Sequence, residues 1–325
     1  MRMGRIVAGA AGVLVAGALL AWSYQRAGGA RFIEPLRTLT PWVLLPALVC
    51  EATVQLSKAW KWQTLLAPTR RVRFSSVLQA VLVGGMATHV VPLRLDELLR
   101  AKILGDAEGL PPATVLGTVA VDRVIEILVL GCLLGAIAAT GNLTGPLEIA
   151  VRVAWVGFLV GASALTLFVV AEERMAAVLG RWAGAGASVI QRLGGMVRDM
   201  ARGLRSLPRG RALLVLLLAT ATEWGATIAM YAVVLLGFGL PWGPPGPVVL
   251  SVGGAAAYGV PNVPGAIGTY EAAQATLLES LLALPPDQAL AVALTAHAVL
   301  TIPVTLVGFG VALSIWLRRS AHLTG

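Results

Sequence analysis

The chain alternates long apolar runs with short polar breaks, and the apolar runs come in two lengths. Residues 6–24, 42–66, 113–139, 150–171, 212–238 and 288–316 each approach or exceed the roughly 20 residues that a helix needs to cross hydrocarbon. Residues 77–91 and 248–260 are apolar but shorter. Gly84, Gly85 and Pro92 interrupt the first, and the second runs into Pro261, Pro264, Gly265 and Gly268. Each short run is followed by a further helical stretch, 94–104 and 269–284. The first apolar run is longer than a signal-peptide core and more spans follow it, so it reads as a transmembrane helix.

Composition fits this pattern. Apolar residues make up 57% of 325 and charged residues 13%, with a mean hydropathy of +0.82. A soluble domain carries about 25% charge, so the soluble and disordered classes are excluded in favour of one integral membrane domain over 1–325. Cys50 and Cys132 sit in apolar runs without metal-ligand spacing, and neither a metal nor a cofactor is implied. No nucleophile elbow, phosphate-binding Walker loop or HExxH is present.

The formal charge of +9 reads as an orientation code, not as a nucleic-acid footprint. Seventeen of the 25 basic residues fall in the N-terminus, residues 58–73, residues 172–211 and the C-terminus. Trp60, Lys61 and Trp62 read as an interfacial belt, and the Arg-rich 172–211 as an amphipathic segment on the membrane surface. The bias places both termini and 172–211 in the cytoplasm. It requires 77–104 to enter and leave on the cytoplasmic side and 248–284 on the outer side. The expected fold is all-α, with about six full transmembrane helices and two re-entrant hairpins.

An internal repeat runs through the same segments. Gly84-Gly85 aligns with Gly253-Gly254, and Val91-Pro92 with Val260-Pro261. After a five-residue insertion the register holds at an offset of 174: Glu97 falls on Glu271, Pro111-Pro112 on Pro285-Pro286, and Arg123 on His297. Glu51 and Glu223 match loosely at 172. With the opposite sides assigned by charge, these matches describe an inverted-topology repeat of about 6–139 and 150–316. Such repeats form a substrate site from broken helices at their interface, and non-helical backbone at that depth has to line a cavity or be buried in protein.

The charged residues of the hairpins are the candidate chemistry. Arg94, Asp96, Glu97, Arg100 and Lys102 crowd the first hairpin, and Asp122, Arg123 and Glu126 follow on the next span. On a helix, Asp96 and Glu97 can each reach Arg100, and Arg123 can reach Glu126. Charges at bilayer depth cost about 3 kcal/mol each and face a cavity or each other. One reading has Arg94, Arg100 and Arg123 meeting an anionic headgroup, since guanidinium forks onto phosphate. In it Glu97, Asp122 and Glu126 hold the arginines in place. The other reading is a set of structural ion pairs. The second hairpin offers Tyr258, Asn262, Tyr270, Glu271 and Gln274, with Glu271 free to meet a basic residue of the first hairpin. His89 and His297 read as hydrogen-bonded interior histidines, with a proton relay as the alternative. Glu51 and Glu223, in mid-span, are candidates for proton or ion coupling.

These motifs resemble the lysylphosphatidylglycerol synthase transmembrane (flippase-like) family over residues 42–316. Pro92-Leu93-Arg94-Leu95-Asp96-Glu97-Leu98-Leu99-Arg100 is similar to its Pro-x-Arg-x-Gly-Glu-x-x-Arg, with Asp96 in place of glycine. Asp122-Arg123 with Glu126 is similar to its Glu-Arg-x-x-Asp, with the acids exchanged. Residues Pro264 to Glu271 match its Pro-Gly-x-x-Gly-x-x-Glu, and His297 stands where the family often has arginine. The family's soluble aminoacyl-transferase domain has no counterpart here. The resemblance implies lipid translocation in the cytoplasmic membrane, with anionic membrane lipids as partners. A lipid-synthesis enzyme as a further partner and a homodimer both stay open. The alternatives are a membrane-embedded transferase acting on a lipid phosphate and a partner-recruiting subunit of a lipid synthase.

Overall fold

The structure is a computed structural model that describes residues 2–90, 96–140, 145–170, 209–259 and 264–321. Among them there is no strand. The helices are α1 (Arg2–Arg26), α2 (Ile33–Thr38), α3 (Leu44–Leu66), α4 (Phe74–Val90), α5 (Asp96–Glu108), α6 (Pro112–Thr140), α7 (Gly145–Val170), α8 (Arg211–Gly237), α9 (Gly246–Gly259), α10 (Thr269–Leu282) and α11 (Pro286–Ala321). The expectations for Pro92, Arg94, Pro261, Asn262 and most of the Arg-rich segment, 172–208, fall outside the described residues.

The helix lengths divide as the apolar runs do. α1, α3, α6, α7, α8 and α11 have 23 to 36 residues. At 1.5 Å per residue even the shortest is about 34 Å long, enough for a core of about 30 Å. α4, α5, α9 and α10 have 13 to 17 residues and cannot cross alone. α8 and α11 are apolar enough to be spans by composition as well, and α3 enters through a preceding helical stretch bent by 84°.

α3 and α8 pack along each other and form the centre of the fold. α3, α4, α5 and α6 contact one another in sequence, α3 closes on α6, and α8, α9, α10 and α11 make the same set of contacts. Each group has its own apolar core. One joins Trp62, Leu66, Val77, Leu104 and Val115, and borrows Leu216 from α8. The other joins Met230, Leu235, Leu250, Tyr270 and Leu278, and borrows Ala47 from α3. Outside these cores, Ile302, Leu306, Phe309 and Leu313 on α11 and Leu214, Leu217 and Leu218 on α8 are exposed. Stripes of this kind are what lipid covers and water does not.

Small residues let the two groups approach. In α11, a side chain at Gly308 would meet the Leu82 carbonyl and Met86 of α4, and one at Gly85 would meet Val304. Small interfacial residues serve this purpose in membrane bundles, where packing drives association. Gly308→Leu is therefore expected to push α11 off α4 and destabilise by about 1–3 kcal/mol. Gly310→Leu, in open space on the same helix, is expected to stay within about 0.5 kcal/mol. Thermal unfolding of the two variants in detergent compares them.

Candidate functional site

One constellation centres on Lys61 of α3, which has no exposed surface. Its ammonium lies 2.8 Å from Asp122 of α6, 2.8 Å from Glu223 of α8 and 3.5 Å from Glu126 of α6. Glu126 also holds Arg123, whose Nε donates to Glu97 of α5 at 2.9 Å. The chain Glu223–Lys61–Asp122 and Glu126–Arg123–Glu97 thus ties four helices together. The interfacial reading of Lys61 and Trp62 is corrected. α3 continues through the interior at this level, both side chains are fully buried, and only Trp60 stays at the surface. The missed signal was periodicity, since Ala47, Glu51, Val54, Lys61 and Leu65 share one helical stripe that is buried throughout.

The charges of the first hairpin pair differently from the local expectation. Asp96 accepts from the Thr88 hydroxyl at 3.1 Å, and Glu97 turns to Arg123. Neither takes Arg100, because the next span offers nearer partners than the helix's own turn does. Asp122 likewise serves Lys61 and not Arg123. Arg100 is only 8% exposed. Its guanidinium carbon lies 4.5 Å from the Trp62 ring centroid, and its stem fills the space left by the missing side chain of Gly84. Its buried Nε has no hydrogen-bond acceptor. Trp62 is itself fixed by donating to the Thr118 hydroxyl at 3.0 Å. Among the described residues, Arg100 is thus a buried cation on an aromatic platform with no carboxylate.

The second constellation is built at the start of α10. Gly265 and Gly268 have φ of 60° and 83°, the region that glycine enters without strain. Their turn lets the Gly268 N–H donate to Glu271 Oε2 at 2.6 Å. Glu271 Oε1 lies 2.5 Å from His297 Nδ1 of α11, and His297 Nε2 lies 2.8 Å from the Gly265 carbonyl. Glu271 therefore finds its partner within its own group of helices, not among the first hairpin's cations. Tyr270 stacks on His297 at 4.3 Å and shares a 2.7 Å hydrogen bond with Tyr231. Gln274 donates to Tyr231 and to the Leu250 carbonyl. The C-terminal end of α4 reaches this turn, for a side chain at Gly265 would lie 3.3 Å from the His89 carbonyl. His89 itself bonds Thr305 at 2.9 Å. Glu51 is buried; Gln55 donates to one of its oxygens at 2.6 Å, and the other has no partner.

The 174-residue offset relates the two constellations. Glu97 and Arg123 are bonded, and so are Glu271 and His297, each pair 26 residues apart. Arg100 lies against Gly84, and Gln274, 174 residues on, lies against Gly254, the counterpart of Gly85 within the matching glycine pair.

A family model described as the lysylphosphatidylglycerol synthase TM region matches residues 9–308. The chain belongs to this family. It is also similar to a protein named glycosyltransferase AglD from Haloferax volcanii, 25% identical over 319 residues, covering 83% of this chain and 49% of that protein. The chain thus spans about half the length of the curated relative it matches. No solved structure matches. Family membership supports a lipid-related role in a membrane, at that coarse level.

Removing Lys61 leaves buried carboxylates without a counter-charge, a change that costs about 3–5 kcal/mol. Lys61→Met is expected to lower stability by that order in detergent unfolding. Adding Glu223→Gln is expected to recover part of the loss, because the two side chains share one interaction.

Proposed function

We propose that the protein moves a lipid with an anionic headgroup across the cytoplasmic membrane, through a polar path between its two broken hairpins. The observation that carries this reading is Arg100. Lys61 and Arg123 are bound by four carboxylates and have no charge to spare, whereas Arg100 is buried, stacked and, among the described residues, without an acidic partner. Burying a charge without a partner is costly, and a phosphate oxygen pair satisfies the guanidinium fork. Glu97, Asp122 and Glu126 then act as the frame that positions α5 and α6, and Arg123 belongs to that frame. Arg100 is the headgroup contact, and Arg94 and Asn262 are further candidates by sequence alone.

The matched contacts of the two helix groups, and the bonded pairs at one offset, support an inverted repeat whose halves rock about the α3–α8 contact. Under the positive-inside rule both termini are cytoplasmic. The second reading is a membrane-embedded transferase, favoured by the printed name of the Haloferax volcanii relative. In that case Glu97 would have to leave Arg123 to act as a base.

Liposomes carrying a headgroup-labelled anionic phospholipid separate these readings. Wild-type protein is expected to change the leaflet of the label without a new covalent lipid in the mass spectrum. A charge-assisted hydrogen bond is worth about 1.5–3 kcal/mol, so Arg100→Gln is expected to slow transport by about 10- to 100-fold. Equal rates for wild type and Arg100→Gln would sink the site assignment, and a new lipid species would favour the transferase.

A further inference from the structure

We propose that Glu271 and His297 form a binding site for one exchangeable proton, and that this proton latches the second hairpin to α11. The argument is a count of hydrogens. The Gly265 carbonyl can only accept, so His297 Nε2 carries a hydrogen and donates to it across 2.8 Å. On the other side, Nδ1 faces Glu271 Oε1 at 2.5 Å. Two acceptors do not approach that closely, so one further proton lies between them. It resides either on an imidazolium beside a carboxylate or on a carboxylic acid beside a neutral imidazole. The pair has no net charge in either form, which suits its burial: the two side chains are 8% and 5% exposed.

Loss of that proton leaves a lone pair facing a carboxylate, and the contact must open. Glu271 Oε2 also accepts from the Gly268 N–H, so the same carboxyl fixes the start of α10. Opening therefore frees the turn Gly265–Gly268 from α11. The equivalent pair of the first half cannot do this, because Arg123 keeps its charge at every accessible pH.

Among the described residues, the titratable groups facing the site from neighbouring helices have partners of their own, apart from one oxygen of Glu51. Tyr270 of α10 stacks on His297, Tyr258 of α9 meets its edge at 6.0 Å, and Tyr231 of α8 bonds Tyr270. His89 of α4 bonds Thr305, and Glu51 of α3 is held by Gln55. On α1, Arg26 pairs with Glu279, two turns further along α10, at 2.6 Å. The use of the proton, as the ion that gates lipid passage, rests on the transport reading above. The site itself does not.

The test uses the full chain in nanodiscs, from about pH 5 to about pH 9. An unfolded histidine gives up its proton above about pH 6.5, whereas the proposed latch requires the proton to stay shared between its two side chains. The unfolded state therefore binds fewer protons in this window, and stability falls as pH rises. Wild-type Tm is expected to drop by about 5–10 °C across the window, for one proton over roughly 2.5 pH units. In Glu271→Gln the amide N–H donates to Nδ1 and its carbonyl accepts from Gly268, so the latch holds without an exchangeable proton and this step is expected to vanish. In His297→Arg a permanent cation replaces the titrating one, with the same expected loss of the step. Parallel pH curves for wild type and Glu271→Gln would overturn the proposal. Lipid transport in liposomes is followed over the same pH range. A Tm step that depends on Glu271, with no transport, supports the proton site and overturns the lipid reading. Transport without such a step overturns the proton site and leaves the lipid reading standing.

Discussion

Lys61 is a charged side chain with no exposed surface, and it sits where α3, α6 and α8 meet. Taking an ammonium out of water costs several kcal/mol even after relaxation. That cost is recovered only where carboxylates surround the group in good geometry, here Asp122 and Glu223 at 2.8 Å with Glu126 just beyond. The requirement fixes the rotation of three helices at once. If α8 turned on its axis, Glu223 would leave, and if α6 slid by a turn, Asp122 and Glu126 would trade places. Apolar surface alone would not set this register, because lipid is as apolar as the interior it competes with. The long α3–α8 contact and the attachment of α6 both follow from this one ion cluster.

The same cluster decides which charges are free. Arg123 is drawn to Glu97 and Glu126, so α5 is tied to α6 through a residue that cannot also bind a ligand strongly. This leaves Arg100 apart. Its position follows from two neighbours that are not charged: Gly84, which gives its stem room, and Trp62, which gives its guanidinium a face to lie on. Cation–π contact stabilises a desolvated guanidinium by about 2 kcal/mol, yet it satisfies none of its N–H donors. A cation held with its Nε unpaired and without a carboxylate among the described residues is an arrangement that would suit a transient anion, since a carboxylate in the same place would compete with it.

Much of the fold was legible because the signals were long. Runs of about 20 apolar residues and the break at Pro264-Gly265 mark the long and short helices within a few residues, whereas Gly84-Gly85, expected to interrupt the first short run, lies inside the unbroken α4, where the missing side chains serve helix packing. The family motifs were legible because several residue types recur at set spacing. The side-chain partners were less so. Local rules offered Arg100 to Asp96 and Glu97 one turn away, but the partner that mattered for Glu97 was Arg123, 26 residues on. Lys61 was misplaced because a basic residue between two tryptophans near a helix end matches an interfacial belt. Only the buried stripe through Ala47, Glu51 and Val54 shows that it faces inward. Such choices depend on which helices pack together, and composition does not carry that information.

The 174-residue offset also sets the charges of the two halves side by side. Glu97 and Glu271 keep the same acid, while Arg123 gives way to His297 and Arg100 to Gln274. The contacts survive these replacements: acid still meets base between the short helix and the long one, and the amide still reaches its glycine pair. What changes is charge. Among the described residues the first half holds four buried or half-buried cations, Lys58, Lys61, Arg100 and Arg123. Among the described residues the second half has no buried cation apart from what His297 shares with Glu271. A headgroup crossing between them would leave a fixed positive seat for a neutral, tyrosine-lined one with Tyr231 and Tyr270 already bonded to each other. A site that held phosphate equally on both sides would trap it. On the proposed transport reading, weak binding on the second side would allow release, and the two positions without arginine would supply that weakness within the same scaffold.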